Sequence, residues 1–169
     1  MSLASSSIAL LLIAACAPAP PPARSTDSTA GVAEQRQVRA QADSLVRLHR
    51  SALSGLNRPA RQVIADSVRW AETWPHLQPR GSTPTALPVV DFSRSMVVIA
   101  ALGDQPSTGY GVIVDSVVRT KSEYLMFVRA TEPGDCIVGG LETQPVDVVA
   151  VPRSHLPARF VEQRVTSRC

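Results

Sequence analysis

Short apolar runs of strand length recur along the second half of the chain. Each run is rich in Val, Ile, Phe or Tyr and is bounded by Gly, Pro, Asp or Ser, which is typical of β-strands separated by turns. Apolar and polar residues alternate most clearly over 113–117 and 125–128, so these segments are predicted to bury one face. The pattern predicts strands at 96–102, 110–118, 124–130, 146–151 and 160–165, and a shorter run predicts one at 62–65.

A tryptophan-containing helix is predicted ahead of the later strands. Asp66 or Ser67 can cap a helix that continues to about Leu77. This helix would carry both tryptophans of the chain, Trp70 and Trp74. Because tryptophan is costly to leave in water, both side chains are predicted to face the core.

Residues 34–57 are predicted to form a second, amphipathic helical segment. Apolar residues along most of it are spaced three and four apart, and Gly55 and Pro59 interrupt the pattern. Its arginines are predicted to form the solvated face of the helix, and contact with anionic lipid is the alternative. The break also marks the predicted start of a separate domain over 61–169.

These elements predict a mainly β domain of the α+β class, with one or two helices. Without the N-terminal leader and spacer described below, the 169-residue chain has room for one domain of ordinary size. The strand pattern indicates mostly antiparallel pairing, for which a sandwich or a partly open barrel is the natural closure. The predicted architecture is therefore an antiparallel β-sandwich or a partly open barrel.

The N-terminus has the pattern of an export signal that ends in a cysteine. The apolar run before Cys16 is too short to span a bilayer comfortably and ends in small residues. The tetrad Ile-Ala-Ala-Cys that ends at Cys16 resembles a lipobox, in which the cysteine is acylated and begins the mature protein. The resemblance implies a lipoprotein signal peptide over 1–15 and lipidation of Cys16. The Pro, Ser, Thr and Ala composition of residues 16–33 favours a flexible tether.

A lipid anchor would place the protein in the cell envelope. Ala17, rather than Asp, follows the cysteine and resembles the outer-membrane sorting pattern. If the cell has two membranes, the expected location is the outer membrane, facing the periplasm or the surface. The first seven residues lack Lys and Arg, which is unusual for an export leader. An ordinary secretory leader or a soluble protein with an apolar N-terminus is therefore the alternative.

The chain has three cysteines. Lipidation of Cys16 would leave Cys136 and Cys169 as the only pair in a compartment where disulfides persist. These two are predicted to be bonded to each other. The bond would also hold a part of the chain that otherwise frays.

No motif for catalysis or metal binding stands out. His49, His76 and His155 lie far apart without metal-ligand spacing, and the motifs of common enzyme classes are missing. A nucleophilic Cys136 paired with His155 is disfavoured, because Asp135 beside it would oppose thiolate formation. We expect no enzymatic activity, no cofactor and no metal site. With a formal net charge of +3 and 18% charged residues, the chain also lacks a strong field for nucleic-acid binding.

The segment between two predicted strands, residues 105–110, is the best candidate for a binding loop. Proline fixes one backbone position, glycine permits a tight turn, and the loop carries hydroxyls and a tyrosine. Rigid loops of this composition bind protein surfaces at low entropic cost. A hairpin whose tyrosine packs on the sheet edge is the structural alternative. The predicted partner-binding residues are Gln105, Pro106, Ser107, Thr108, Gly109 and Tyr110.

Five pieces of the sequence, taken in order, resemble the C-terminal domain of the protease complex subunit PrcB. The resemblance runs from about Arg61 to the end of the chain. It implies an exported, non-catalytic accessory domain that associates with a protease and stabilises it, without a cofactor. The pieces are VRWAETW at 68–74, VDFS at 90–93, PSTGY at 106–110, EPGDC at 132–136 and QP at 144–145.

The 105–110 loop also resembles the Asn-Pro-Thr-Thr-Gly-Tyr loop of chagasin-type cysteine-protease inhibitors, from which Gln105 and Ser107 depart. Val112 stands where that family has an aromatic residue, and its Arg-Pro-Trp motif is missing. The sequence thus predicts a lipid-anchored envelope protein that binds and stabilises another exported protein, a protease complex. A protease inhibitor using this loop and a structural envelope lipoprotein are the alternatives.

Overall fold

The computed structural model describes residues 45–83 and 85–169. The predicted signal peptide over 1–15, the tether over 16–33 and the lipidation site Cys16 lie outside these residues. The described part forms β1 (Val46–Ser51), β2 (Ala60–Ile64), α1 (Ser67–Thr73), a 3₁₀ turn (Trp74–Leu77), β3 (Ser95–Ala101), β4 (Gly111–Arg119), β5 (Tyr124–Glu132), β6 (Val146–Pro152) and β7 (Ala158–Thr166).

These strands form two sheets. The first has the order β1-β6-β3-β2 and is antiparallel throughout, and the second has the order β4-β5-β7. The sheets pack face to face without closing into a barrel, so the predicted mainly β sandwich of the α+β class is confirmed. One pairing differs from the antiparallel prediction: β7 lies parallel to β5. The chain passes through β6 in the other sheet before it returns beside β5, and such a crossover permits parallel pairing.

The central strands β3 and β6 are buried on both faces. Met96 and Val98 point into the core between the sheets, whereas Val97 and Ile99 point to the opposite face of the first sheet. This double burial explains why β3 is an uninterrupted apolar run rather than an alternating one.

Helix α1 covers the outer face of the first sheet. Asp66 caps the helix through its carboxylate, and Trp70 and Trp74 are buried, as predicted. Their indole N–H groups donate to the carbonyls of Pro88 (2.9 Å) and Thr85 (2.8 Å), so neither polar atom is buried unbonded. No helix within residues 45–83 and 85–169 is long and apolar enough to cross a membrane.

A turn centred on Asp91 leads into β3. The carboxylate of Asp91 accepts the hydroxyl and the backbone N–H of Ser93, and these bonds lower the pKa of Asp91. Phe92 packs against the apolar cluster under α1, and its carbonyl accepts a hydrogen bond from Arg153 (2.6 Å). The Asp-Phe pair in the PrcB-like pattern therefore has a structural role at the start of a central strand.

The predicted helical segment over 34–57 is wrong where the structure describes it. Residues 46–51 form strand β1, which pairs with β6 at the edge of the first sheet. Pairing with a strand about a hundred residues away overrides the local helical spacing. Since β1 is part of the first sheet, that sheet includes residues upstream of the predicted domain start at 61.

A buried ion pair fixes β1 to both sheets. Asp147 on β6 is fully buried and accepts two hydrogen bonds from Arg47, at 2.7 and 3.1 Å. It also accepts the backbone N–H of Val114 at 2.7 Å, beside an irregularity in β4 where the register with β5 shifts. The bond to Asp147 raises the pKa of Arg47 above its already high value. One carboxylate thus connects an edge strand, a central strand and the facing sheet.

Candidate functional site

The predicted binding loop over 105–110 connects β3 to β4 and is paired with a second loop. Gln105 and Thr143 exchange two backbone hydrogen bonds, at 2.8 and 3.0 Å. The Gln105 side chain donates to the carbonyl of Leu102 at 3.1 Å. Gln105 is half-buried, and these bonds hold the start of the loop in place.

Thr108 forms the second connection between the two loops. Its backbone N–H donates to the carbonyl of Gly139 (2.9 Å), and its hydroxyl accepts the Gly139 N–H (2.8 Å). The Thr143 hydroxyl donates to the carbonyl of Ser107 at 2.9 Å. Since polar groups of Ser107 and Thr108 bond to the second loop, both residues help to join the loops.

Gly109 allows the two loops to lie in contact. Its φ of +91° is in the region that favours glycine. A Cβ atom at this position would lie 2.8 Å from the side chain of Val138 and 2.9 Å from that of Pro133. A larger residue would push the loops apart.

The disulfide fixes the other side of the second loop, which we call the Cys136 loop (133–143). Cys136 and Cys169 are bonded, as predicted, with their Cα atoms 5.3 Å apart. The backbone N–H of Cys136 also donates to the carbonyl of Pro133 at 3.1 Å, which closes a turn. The loop is thus held at Cys136, at Gly139 and at Thr143.

Apolar side chains project between these fixed points. Ile137 is 104% exposed and Leu141 is 61% exposed, and both belong to the Cys136 loop. On the neighbouring loop Pro106 is exposed and Tyr110 is half-buried. We call these four residues the paired-loop surface. It combines an aromatic residue with aliphatic residues on a backbone held by hydrogen bonds and a disulfide.

The sequence prediction included Pro106 and Tyr110 but missed Ile137 and Leu141. The available signal was the stretch from Ile137 to Leu141, in which apolar residues flank two glycines outside every predicted strand. Apolar residues that no strand or helix accounts for are candidates for a surface contact when several of them lie together.

Tyr110 also lines two grooves on the surface. One, of about 260 Å³, lies where β2 of the first sheet faces β7 of the second. The other, of about 340 Å³, lies beside the end of β1. The first is lined by charged residues that form ion pairs across or along it, Arg61 with Glu162 and Arg164 with Glu132.

The residues considered for catalysis or metal binding do not form a cluster in the described part of the chain. Among residues 45–83 and 85–169, no three His, Cys, Asp or Glu side chains lie close enough together to hold a metal ion. Cys136 is bonded to Cys169, so it has no free thiol in this structure. His49 instead packs edge-on against Trp74, with ring centroids 5.4 Å apart.

The described part of the chain is a two-sheet β domain that presents two loops bonded to each other. The PrcB C-terminal family model matches residues 96–152, about a third of the 169-residue chain. The match confirms the resemblance to the PrcB C-terminal domain family over these residues. It extends from β3 to the end of β6 and so includes both loops, although it is shorter than the resemblance that starts at Arg61. No curated protein and no solved structure matches the chain.

Proposed function

We propose that this protein is a lipid-anchored accessory protein of the cell envelope. Its β domain binds an exported protease complex and stabilises it, without performing catalysis. The binding site is the paired-loop surface, and the lipid is attached at Cys16.

The exposure of Ile137 on a restrained loop is the observation that carries the binding proposal. An aliphatic side chain exposed to 104% gains free energy when a partner removes it from water. Because the bonds at Cys136, Gly139 and Thr143 already hold the backbone, binding orders few additional groups. Leu141 and Tyr110 on the same pair of loops add contact area, and tyrosine is enriched at interfaces.

The family match supports a protease complex as the partner. The matched segment, 96–152, contains all four residues of the paired-loop surface. The family is named after a subunit of a protease complex. The paired-loop surface, with its exposed aliphatic residues and its tyrosine, suits a stable protein contact. These two observations together support the role of an accessory subunit.

The binding proposal predicts that Ile137→Asp lowers capture of the partner by at least about tenfold, because a charge would be buried in the interface. The full chain is tagged, captured from cells after cross-linking, and the amount of co-purified exported protease is measured. Val89→Asp is the matched control, since Val89 is 99% exposed but lies far along the chain from both loops. Both variants should keep the wild-type melting temperature. Equal capture by the two variants would contradict the proposal.

Stabilisation is tested by the lifetime of the captured protease after protein synthesis is stopped. Ile137→Asp should shorten this lifetime to the value seen in cells without the chain, and Val89→Asp should leave it unchanged. If removal of the chain instead raises the peptidase activity of the partner at constant lifetime, the protein is an inhibitor and the accessory role is wrong.

The anchoring proposal predicts that a radioactive fatty acid labels the full chain and that Cys16→Ser abolishes the label. The physical reason is that the cysteine thiol is the group that accepts the acyl chain. Cys136→Ser with Cys169→Ser is the control and should retain the label, since these thiols are used in the disulfide. A label that persists in Cys16→Ser, or an unlabelled wild-type chain, would refute lipidation at this position.

A further inference from the structure

Strand β7 is a long and regular edge of the second sheet. It has nine residues without Pro or Gly, and its register with β5 is continuous. The other described edges are shorter or irregular. β2 has five residues, β1 has six and a register shift, and β4 shifts its register beside Val114. Shortening and bulges are devices that prevent edge-to-edge pairing, and β7 has neither.

The backbone of β7 has free hydrogen-bonding groups on one side. Ser167 donates to Glu132 in β5, and Pro157 accepts from Tyr124 at the start of β5. Backbone groups alternate in direction along a strand, so odd-numbered residues of β7 bond to β5. The backbone N–H and C=O groups of the even-numbered residues point away from the sheet. These residues are 158, 160, 162, 164 and 166. Within the described ranges β7 pairs with β5 alone, and no backbone hydrogen bond from a turn or loop reaches these groups.

When two copies of β7 pair antiparallel with Gln163 opposite Gln163, the side chains that lie opposite each other are complementary. In antiparallel self-pairing about this residue, Glu162 of one copy lies opposite Arg164 of the other. Val161 likewise lies opposite Val165. Centring the pairing on either neighbour of Gln163 would place Glu162 opposite Glu162, or Arg164 opposite Arg164. Like charges directly opposite each other are unfavourable, so charge favours the Gln163 register over the two registers centred on its neighbours.

We propose that β7 pairs with β7 of a second copy of this chain, antiparallel and centred on Gln163. The even-numbered residues from Phe160 to Thr166 then exchange about eight backbone hydrogen bonds with the second copy. This number lies within the usual range for specific protein interfaces. The two three-stranded sheets become one continuous sheet, and the edge of each is covered. This surface is distinct from the paired-loop surface.

The register is tested by cysteine cross-linking in cells that produce the full chain. Gln163 lies at the two-fold axis in a non-hydrogen-bonded pair, where Cα atoms are about 4.5 Å apart and a disulfide can form. Gln163→Cys should therefore give several times more disulfide-linked dimer than Arg159→Cys after mild oxidation. Arg159 is the matched control, because it is exposed on the same strand and face but lies opposite a residue beyond Thr166. The wild-type chain gives the background that does not depend on the introduced cysteine.

Equal cross-linking of the two variants, or no dimer with Gln163→Cys, would overturn the proposal. A cross-linked product with the mass of a different protein would also overturn it, since the edge would then accept a strand from another partner.

A charge-reversal series measures the same interface without new thiols. In sedimentation of the purified full chain in detergent, Glu162→Arg should weaken the dimer at least about tenfold, because it places Arg opposite Arg164. Adding Arg164→Glu should restore the dimer to within about threefold of wild type. Glu162→Arg also removes the bond to Arg61 within each copy, and Arg164→Glu removes the ion pair with Glu132 and does not replace the bond to Arg61. Recovery in the double variant therefore reports the contact between copies, and a double variant that keeps the wild-type fold but does not recover the dimer would refute the register.

Discussion

Asp147→Ala is expected to lower the free energy of unfolding by about 3 kcal/mol, because it breaks a buried ion pair. The substitution removes the acceptor of two Arg47 bonds and leaves the backbone N–H of Val114 without a partner inside the protein. Urea unfolding of the purified chain, followed by circular dichroism, measures this change.

The matched control for this prediction is Asp115→Ala. Asp115 pairs with Arg129 at 2.8 Å, but its side chain is 36% exposed. An exposed ion pair contributes less than about 1 kcal/mol, so Asp115→Ala should have a small effect. If both substitutions lower stability equally, Asp147 does not have the connecting role assigned to it. Arg47→Ala and the double variant Asp147→Ala/Arg47→Ala complete a double-mutant cycle. The cycle measures the coupling energy between the two side chains.

Trp70→Ala is expected to lower the free energy of unfolding by about 3 to 5 kcal/mol, because it removes one of the two tryptophan side chains buried in the cluster under α1. Trp70 is 1% exposed, and its ring centroid lies 5.2 Å from that of Trp74. The change also leaves the carbonyl of Pro88 without its indole donor. The same urea titration measures the loss.

Val68→Ala on the same helix is the control for Trp70. Val68 is 66% exposed, so its truncation should change stability by less than about 0.5 kcal/mol. Trp70→Phe should fall between the two, since it keeps most of the packing and loses the hydrogen bond to Pro88. A loss for Trp70→Ala no larger than that for Val68→Ala would show that α1 is not held through this residue.

The sequence predicted the strands and the helix whose conformation is indicated by residues within the same segment. The strands from β2 to β7 are apolar runs between turn residues, and α1 has a capping Asp66 and two buried tryptophans. Strand β1 escaped prediction because its spacing favours a helix in isolation. Its conformation depends on pairing with β6 and on the bond between Arg47 and Asp147, which lie a hundred positions apart in the chain. Such long-range pairing cannot be read from the spacing of residues in one segment.

The sequence selected one of the two loops that form the candidate site. Gly109 and Tyr110 mark a turn with a recognisable composition, so the 105–110 loop could be selected from the sequence. The Cys136 loop offered only its apolar residues outside the predicted strands as a signal, because its position beside Thr108 depends on the packing of both sheets and on the disulfide. For the same reason the sequence could not separate residues that hold the loop, such as Thr108, from residues that face outward, such as Ile137.

The position of Arg47 has a mechanical consequence. Any pulling force transmitted from residues before Leu45 enters the domain at the start of β1, an edge strand bonded to a single neighbour. Such a strand peels from its neighbour one residue at a time, and Arg47 is its second residue. The two bonds to Asp147, assisted by charge, therefore resist the load before most of the β1 pairing is stretched. The ion pair therefore limits how far a force on the N-terminal segment can pull β1 away from the sandwich.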